Sequence, residues 1–218
     1  MINKGIIFDL DGVIVDTAKY HYLAWKDLAD VLGFEFTEKD NERLKGVSRV
    51  RSLEILLEIG RKTLPQSKKD AYLKEKNEAY LDYVNQMTAD EILPGVLPIL
   101  EFLDSKAIPY ALGSASKNAP LILEKVGLKN RFNAIVDGNA VSKAKPDPEV
   151  FLLAAQELGV EPKNCIVFED AIAGIQAAKN AGMLAIGIGD KATLTEADYV
   201  FNDNTEITTT FLEDLLKK

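Results

Sequence analysis

Sulfur, positive charge and long apolar runs are all in short supply in this 218-residue chain. The single cysteine, Cys165, excludes an intrachain disulfide framework, and its place in the apolar run CIVF gives it the role of a small buried residue. Lysine and arginine number 26 against 34 aspartates and glutamates, a net charge of -8 with a pI near 4.9. That balance repels a nucleic-acid backbone or an anionic membrane, so neither is expected as a partner. The apolar run inside the opening MINKGIIFDLDG is too short to cross a bilayer, and acidic residues follow it where a signal peptide would carry its cleavage site. The expected location is the cytoplasm. Low-complexity and Pro/Gly-rich stretches are missing, as is any internal repeat, which leaves an ordinary folded composition of 47% apolar and 28% charged residues. At this length a main domain with a smaller second domain or a large insertion is expected.

Short apolar runs rich in β-branched residues predict buried strands: GIIFDL from Gly5, IPYALGSA from Ile108, AIV from Ala134, CIVF from Cys165 and LAIGIG from Leu184. Helical patterns alternate with them, from Pro120, Pro148 and Ala173, which is the signature of a parallel α/β sheet. The stretch from about Ala18 to Ala89 breaks the alternation with helical periodicity alone. It predicts helices over residues 18–32, 48–59 and 68–87, with Gly33 and Gly60 at helix C-termini and Ser48 as an N-cap. The fold class is therefore α/β, a Rossmann-like parallel sheet core made of residues 1–16 and 90–218, with a helical cap domain inserted at residues 17–89.

The first strand ends on two carboxylates, Asp9 and Asp11, followed by Gly12, and ligands in open α/β sheets gather at the carboxyl ends of strands. Paired carboxylates repel and lose solvation there, and a hard divalent cation would offset both costs. Equally, Asp9 and Asp11 could shape a turn and cap a helix. A second pair, Glu169 and Asp170, follows CIVF, with Asp170 either an N-cap or a partner in the same metal site. GSASKN offers phosphate donors in Ser114, Ser116, Lys117 and Asn118, and Lys145 stands before Pro146, which restricts the backbone around it.

Taken in order, Asp9-Leu10-Asp11-Gly12, Ser114, Lys145 with Pro146, and Glu169-Asp170 resemble the four motifs of the haloacid dehalogenase superfamily. The likeness spans nearly the whole chain, including a helical cap after the first motif. It implies that Asp9 is a nucleophile and Asp11 a general acid/base. It also implies one Mg²⁺ per chain held by Asp9, Asp170 and the Asp11 carbonyl, with Glu169 acting directly or through water, while Ser114 and Lys145 bind the transferring phosphoryl group. Dehalogenases of the superfamily lack the second aspartate and its ATPases resemble Asp-Lys-Thr, so both are disfavoured.

Within the superfamily, DTAKYHYLAW, RLKGVSR, KEKNEAY and SASKN are similar to segments of its hexose-phosphate mutase branch. That resemblance implies interconversion of β-glucose 1-phosphate and glucose 6-phosphate, with β-glucose 1,6-bisphosphate as the priming intermediate. Arg49, Ser116, Lys117 and Asn118 would then hold the non-reacting phosphate. Lys45, Gly46, Val47, Ser48, Lys76 and Ala115 would shape the sugar pocket. Thr17 and the only histidine, His21, would interact with Asp11 and couple its position to cap closure about crossings near residues 15–17 and 87–94. Trp25 reads as packing among the cap helices at the edge of that pocket. A mutase needs two anion sites, and Arg49 offers a planar fork suited to one. The alternatives are a sugar-phosphate phosphatase discharging Asp9 to water and a phosphoryl-receiver module without turnover. The expected partners are small sugar phosphates, and the expected state is a monomer.

Overall fold

The computed structural model describes residues 4–44 and 47–217. Among them, six strands form one all-parallel sheet: β1 (Gly5–Phe8), β2 (Tyr110–Gly113), β3 (Ala134–Val136), β4 (Cys165–Glu169), β5 (Leu184–Ile188) and β6 (Tyr199–Phe201), in the order β3-β2-β1-β4-β5-β6. Successive strands step outward from β1 in one direction, then from β4 in the other. The order therefore reverses between β1 and β4, and that is where a sheet of this kind opens a crevice for ligand.

Alternation along the strands sends side chains to opposite faces. Ile6, Phe8, Ile166 and Phe168 pack with helices α5 (Val96–Ser105), α6 (Ala119–Lys125) and α9 (Thr209–Lys217). Ile7 and Val167 pack with α7 (Glu149–Leu158) and α8 (Ile172–Asn180) on the other side. Covering both faces explains why the central strands read as continuous apolar runs.

Between β1 and β2 the chain inserts α1 (Ala18–Leu32), α2 (Glu38–Asn41), α3 (Arg49–Ile59) and α4 (Gln66–Val84) ahead of α5. These bury an apolar cluster of their own, with Trp25, Leu28, Phe36, Leu53 and Leu56 at its centre. Ser48 caps α3, its hydroxyl accepting from the Arg51 N–H at 3.3 Å. Gly33 ends α1 in the left-handed conformation its position predicts. Gly60 ends α3 for a different reason: its backbone is right-handed, and a methyl there would collide with the Phe34 ring. The chain returns beside its exit, because Val15 and Ile92 form a β-bridge and the Leu93 N–H donates to the Ile14 carbonyl at 2.9 Å.

Candidate active site

Strand register assembles the acidic centre. Phe8 lies opposite both Phe168 and Leu112, so the next residues along, Asp9, Glu169 and Gly113, emerge level with one another at the carboxyl edge of three adjacent strands. Ser114 follows β2, and its N–H is held by the Val136 carbonyl at 3.0 Å. Lys145 reaches into this edge and donates from Nζ to Asp9 Oδ1 at 2.6 Å, Glu169 Oε2 at 2.8 Å and the Gly113 carbonyl at 3.2 Å. Burial works against the Lys145 charge, yet the two carboxylates outweigh it and the pKa moves upward. Burial also raises Glu169 to about 7 against the pull of Lys145.

Carboxylate oxygens of Asp9, Glu169 and Asp170 lie within 4.8 Å of one another, a hard-donor set that fits a divalent cation of the Mg²⁺ kind. The N-cap of α8 is Ala171, without a side-chain cap, so Asp170 turns to this cluster instead of capping the helix. Two glycines make the room. Gly12 has φ +78°, and a methyl on it would strike the Asp170 carboxylate; a methyl on Gly174 would strike the carboxylate of Glu169.

Asp11 takes a separate path. Its N–H donates to Asp9 Oδ2 at 3.1 Å, while its own carboxylate turns from the acidic cluster to accept from the Thr17 hydroxyl. Burial first, and then the charge of Asp9, lift its pKa to about 7, with the Thr17 bond opposing. A carboxyl poised there can hold or release a proton near neutrality.

His21 departs from the expected interaction with Asp11. Thr17 alone takes the Asp11 carboxylate, while His21 Nδ1 meets Lys76 Nζ at 2.8 Å and its ring stacks on Tyr80 at 4.2 Å between centroids. Burial, reinforced by the charges of Lys76 and Arg49, holds His21 well below its ordinary pKa. Lys76 is itself 4% exposed, lies 4.7 Å from the ring centres of both Trp25 and Tyr80, and is lowered to about 7 by burial and then by Arg49.

A cavity of about 430 Å³ opens between the sheet edge and the inserted helices. Asp9, Asp11, Asp170 and Ser114 line it from the sheet. His21, Trp25, Val47, Ser48, Arg49 and Lys76 line it from the helices, and Ala115, Ser116, Lys117 and Asn118 from the loop after β2. Trp25 thus belongs both to the apolar cluster and to the wall. Thr17, Lys145 and Glu169 are buried behind the lining and act on it through Asp11 and Asp9. Lys45 and Gly46, expected at the sugar pocket, lie outside the described residues.

Sequence reasoning missed Asn77, Tyr80 and Asn41, which also line the cavity. Asn118 Nδ2 donates to Asn77 Oδ1 at 3.0 Å, a bond from the loop after β2 to α4. Tyr80 is legible in hindsight, four residues beyond Lys76 on one helical face. Asn77 lies inside the KEKNEAY segment, but its partner is 41 residues away.

Residues 3–182 match the family model for haloacid dehalogenase-like hydrolases. The chain is 42% identical to the β-phosphoglucomutase of Bacillus subtilis, covering 97% of this chain and 94% of that protein. It is 36% identical to a fructose-1-phosphate phosphatase of Escherichia coli, over 84% of this chain and 95% of that one. The crystal structure of β-phosphoglucomutase from Clostridium difficile superposes with a TM-score of 0.94 at 40% identity, covering 100% of this chain and 98% of the other. An α/β sheet with its acidic centre at the β1/β4 edge, and relatives of both the mutase and the phosphatase kind, lead to one statement: the chain belongs to the haloacid dehalogenase-like hydrolase family and is an enzyme acting on phosphate esters.

Proposed function

We propose that the protein interconverts β-glucose 1-phosphate and glucose 6-phosphate through an aspartyl-phosphate on Asp9 and a β-glucose 1,6-bisphosphate intermediate. The observation that carries this reading is the charge layout of one cavity. Its wall holds the Asp9 and Asp11 pair and also Arg49, Lys76 and Lys117, none of which forms an ion pair with a carboxylate among the described residues. A phosphatase needs one anion site, whereas a mutase must grip a phosphate at each end of its bisphosphate. The likeness to the two β-phosphoglucomutases supports the same choice.

In this account the Asp9 carboxylate attacks phosphorus while Asp11 gives its proton to the leaving sugar oxygen. Lys145 holds Asp9 in place, and Ser114 is positioned to donate to the phosphoryl oxygens. Asp9, Glu169 and Asp170, with the Asp11 carbonyl, would hold Mg²⁺, which would supply charge neutralisation at the phosphoryl group. When β-glucose 1-phosphate then meets the phosphorylated Asp9, Asp11 takes the proton back from its incoming 6-hydroxyl as that oxygen accepts the phosphoryl group, and the bisphosphate so formed turns end for end before its C1 phosphoryl group passes to Asp9. Arg49, Ser116, Lys117 and Asn118 hold the idle phosphate. Helices α1 to α4 act as a cap that excludes water, and the paired crossings at Val15 and Ile92 serve as its hinge. The protein works as a cytoplasmic monomer on small sugar phosphates.

The phosphatase reading is favoured by the likeness to the fructose-1-phosphate phosphatase. Phosphorus NMR of the protein with Mg²⁺, β-glucose 1-phosphate and a trace of the 1,6-bisphosphate separates the two. Glucose 6-phosphate with little free phosphate supports the mutase, and free phosphate as the main product replaces it with the phosphatase.

A further inference from the structure

Asn41 closes α2 with its backbone N–H satisfied by the Thr37 carbonyl at 3.1 Å, and its side chain is 6% exposed. Its carboxamide oxygen has no hydrogen-bond partner, one of only two buried side-chain polar atoms so placed among the described residues. A buried acceptor left without a donor is costly, and native proteins rarely keep one without a use. Asn41 also lines the cavity, on the side of the inserted helices together with Trp25 and Leu44. Rotation about its terminal torsion turns the oxygen or the amino group towards that space, since the amide is planar and its two ends are nearly equal in size.

The chemistry of the missing partner follows from the orphan atom. An amide oxygen only accepts, so a phosphate dianion, which brings acceptors alone, cannot satisfy it. A hydroxyl can, and a carboxamide presents an acceptor and a donor side by side, matching two neighbouring hydroxyls of a sugar ring. We infer that Asn41 is a specificity-determining residue of the cavity, where its carboxamide hydrogen-bonds a ring hydroxyl of the substrate sugar. This rests on the sugar-phosphate reading above, but not on whether the phosphoryl acceptor is sugar or water.

The test compares the wild type with Asn41→Leu and Asn41→Ala on glucose 6-phosphate and its 2-, 3- and 4-monodeoxy analogues, scoring glucose 1-phosphate and free phosphate together. The expected result is that the wild type prefers the parent over one analogue by about tenfold in kcat/KM, the worth of one neutral hydrogen bond. In either variant that preference collapses while the others persist. A profile of preferences identical in wild type and variants means that the oxygen faces only ordered water, and overturns the inference, as does a wild type indifferent to all three deletions. Either variant decides alone if the other does not fold. Because both products are scored, an enzyme that proves to be a phosphatase still shows whether Asn41 reads a hydroxyl, and one inactive on every hexose phosphate refutes the parent reading instead.

Discussion

Lys145 Nζ stands 2.6 Å from Asp9 Oδ1 and spans from it to Glu169, so one buried ammonium is shared between two buried carboxylates. Removing the cation leaves both acids facing each other without compensation, which costs about 3–5 kcal/mol for a buried pair. Lys145→Met is therefore expected to lower stability by that order and to abolish turnover. Glu169 already has a folded pKa above its unfolded value, so its ionised form is disfavoured in the native state as pH rises. The deficit should be smaller near about pH 5 than near about pH 8 in urea titrations. A deficit independent of pH would argue against the shared-cation account.

Thr17 and Asp11 form the next dependent pair. Asp11→Asn should lower kcat by roughly 10²–10⁴-fold, the usual worth of a positioned acid/base. Thr17→Val keeps the carboxyl but frees its orientation, and about a tenfold loss in kcat with KM little changed is expected. Wild-type kcat in Asp11→Asn would remove the proton-transfer role.

Lys76 is a cation whose burial costs stability. Its folded pKa, about 7, lies below the ordinary 10.5, so the unfolded chain binds the proton more tightly across that window. Stability contributed by this group therefore rises as pH climbs from 7 towards 10.5, and is lowest where the lysine is charged in both states. Lys76→Met should stabilise the protein by about 1–2 kcal/mol below neutrality, after the lost contacts with the Trp25 and Tyr80 rings are offset. The gain should fade in alkaline melts while sugar-phosphate turnover drops at every pH. Destabilisation that is equal at all pH values would contradict this.

Gly174 sits inside α8, where alanine ordinarily improves a helix by about 1 kcal/mol. Here the added methyl meets the Glu169 carboxylate, so Gly174→Ala should instead destabilise by about 1–3 kcal/mol and weaken Mg²⁺ binding in calorimetry. A stabilised variant with unchanged Mg²⁺ affinity would show that Glu169 has room to move.

Much of this was legible in the chain because the signals were local. Strands β1 to β5 are apolar runs followed by or ending on acids or small residues, and α1 falls at Ala18–Leu32 where its pattern predicts. What escaped was either short, atypical or tertiary. Strand β6 spans only Tyr199–Phe201 at the sheet edge, a half-buried run of three residues between acidic and polar neighbours. Helix α5 has Pro98 in its first turn, which disguises a helix start as a break. Helix α4 stops at Val84, short of the 87 that periodicity suggested, because the chain turns at residues 85–86. His21 shows the limit most clearly: helical spacing from Thr17 put it on the right face, yet its partner Lys76 comes from another helix 55 residues away.

The central claim is that the phosphoryl group on Asp9 goes to a sugar hydroxyl. Protein labelled on Asp9 with radioactive phosphate from a small acyl phosphate, then chased in a single turnover with β-glucose 1-phosphate, tests it directly. The account predicts label in the bisphosphate and in glucose 6-phosphate, and none on an Asp9→Ala control. Label recovered wholly as inorganic phosphate, at a rate unaffected by the sugar, would contradict it.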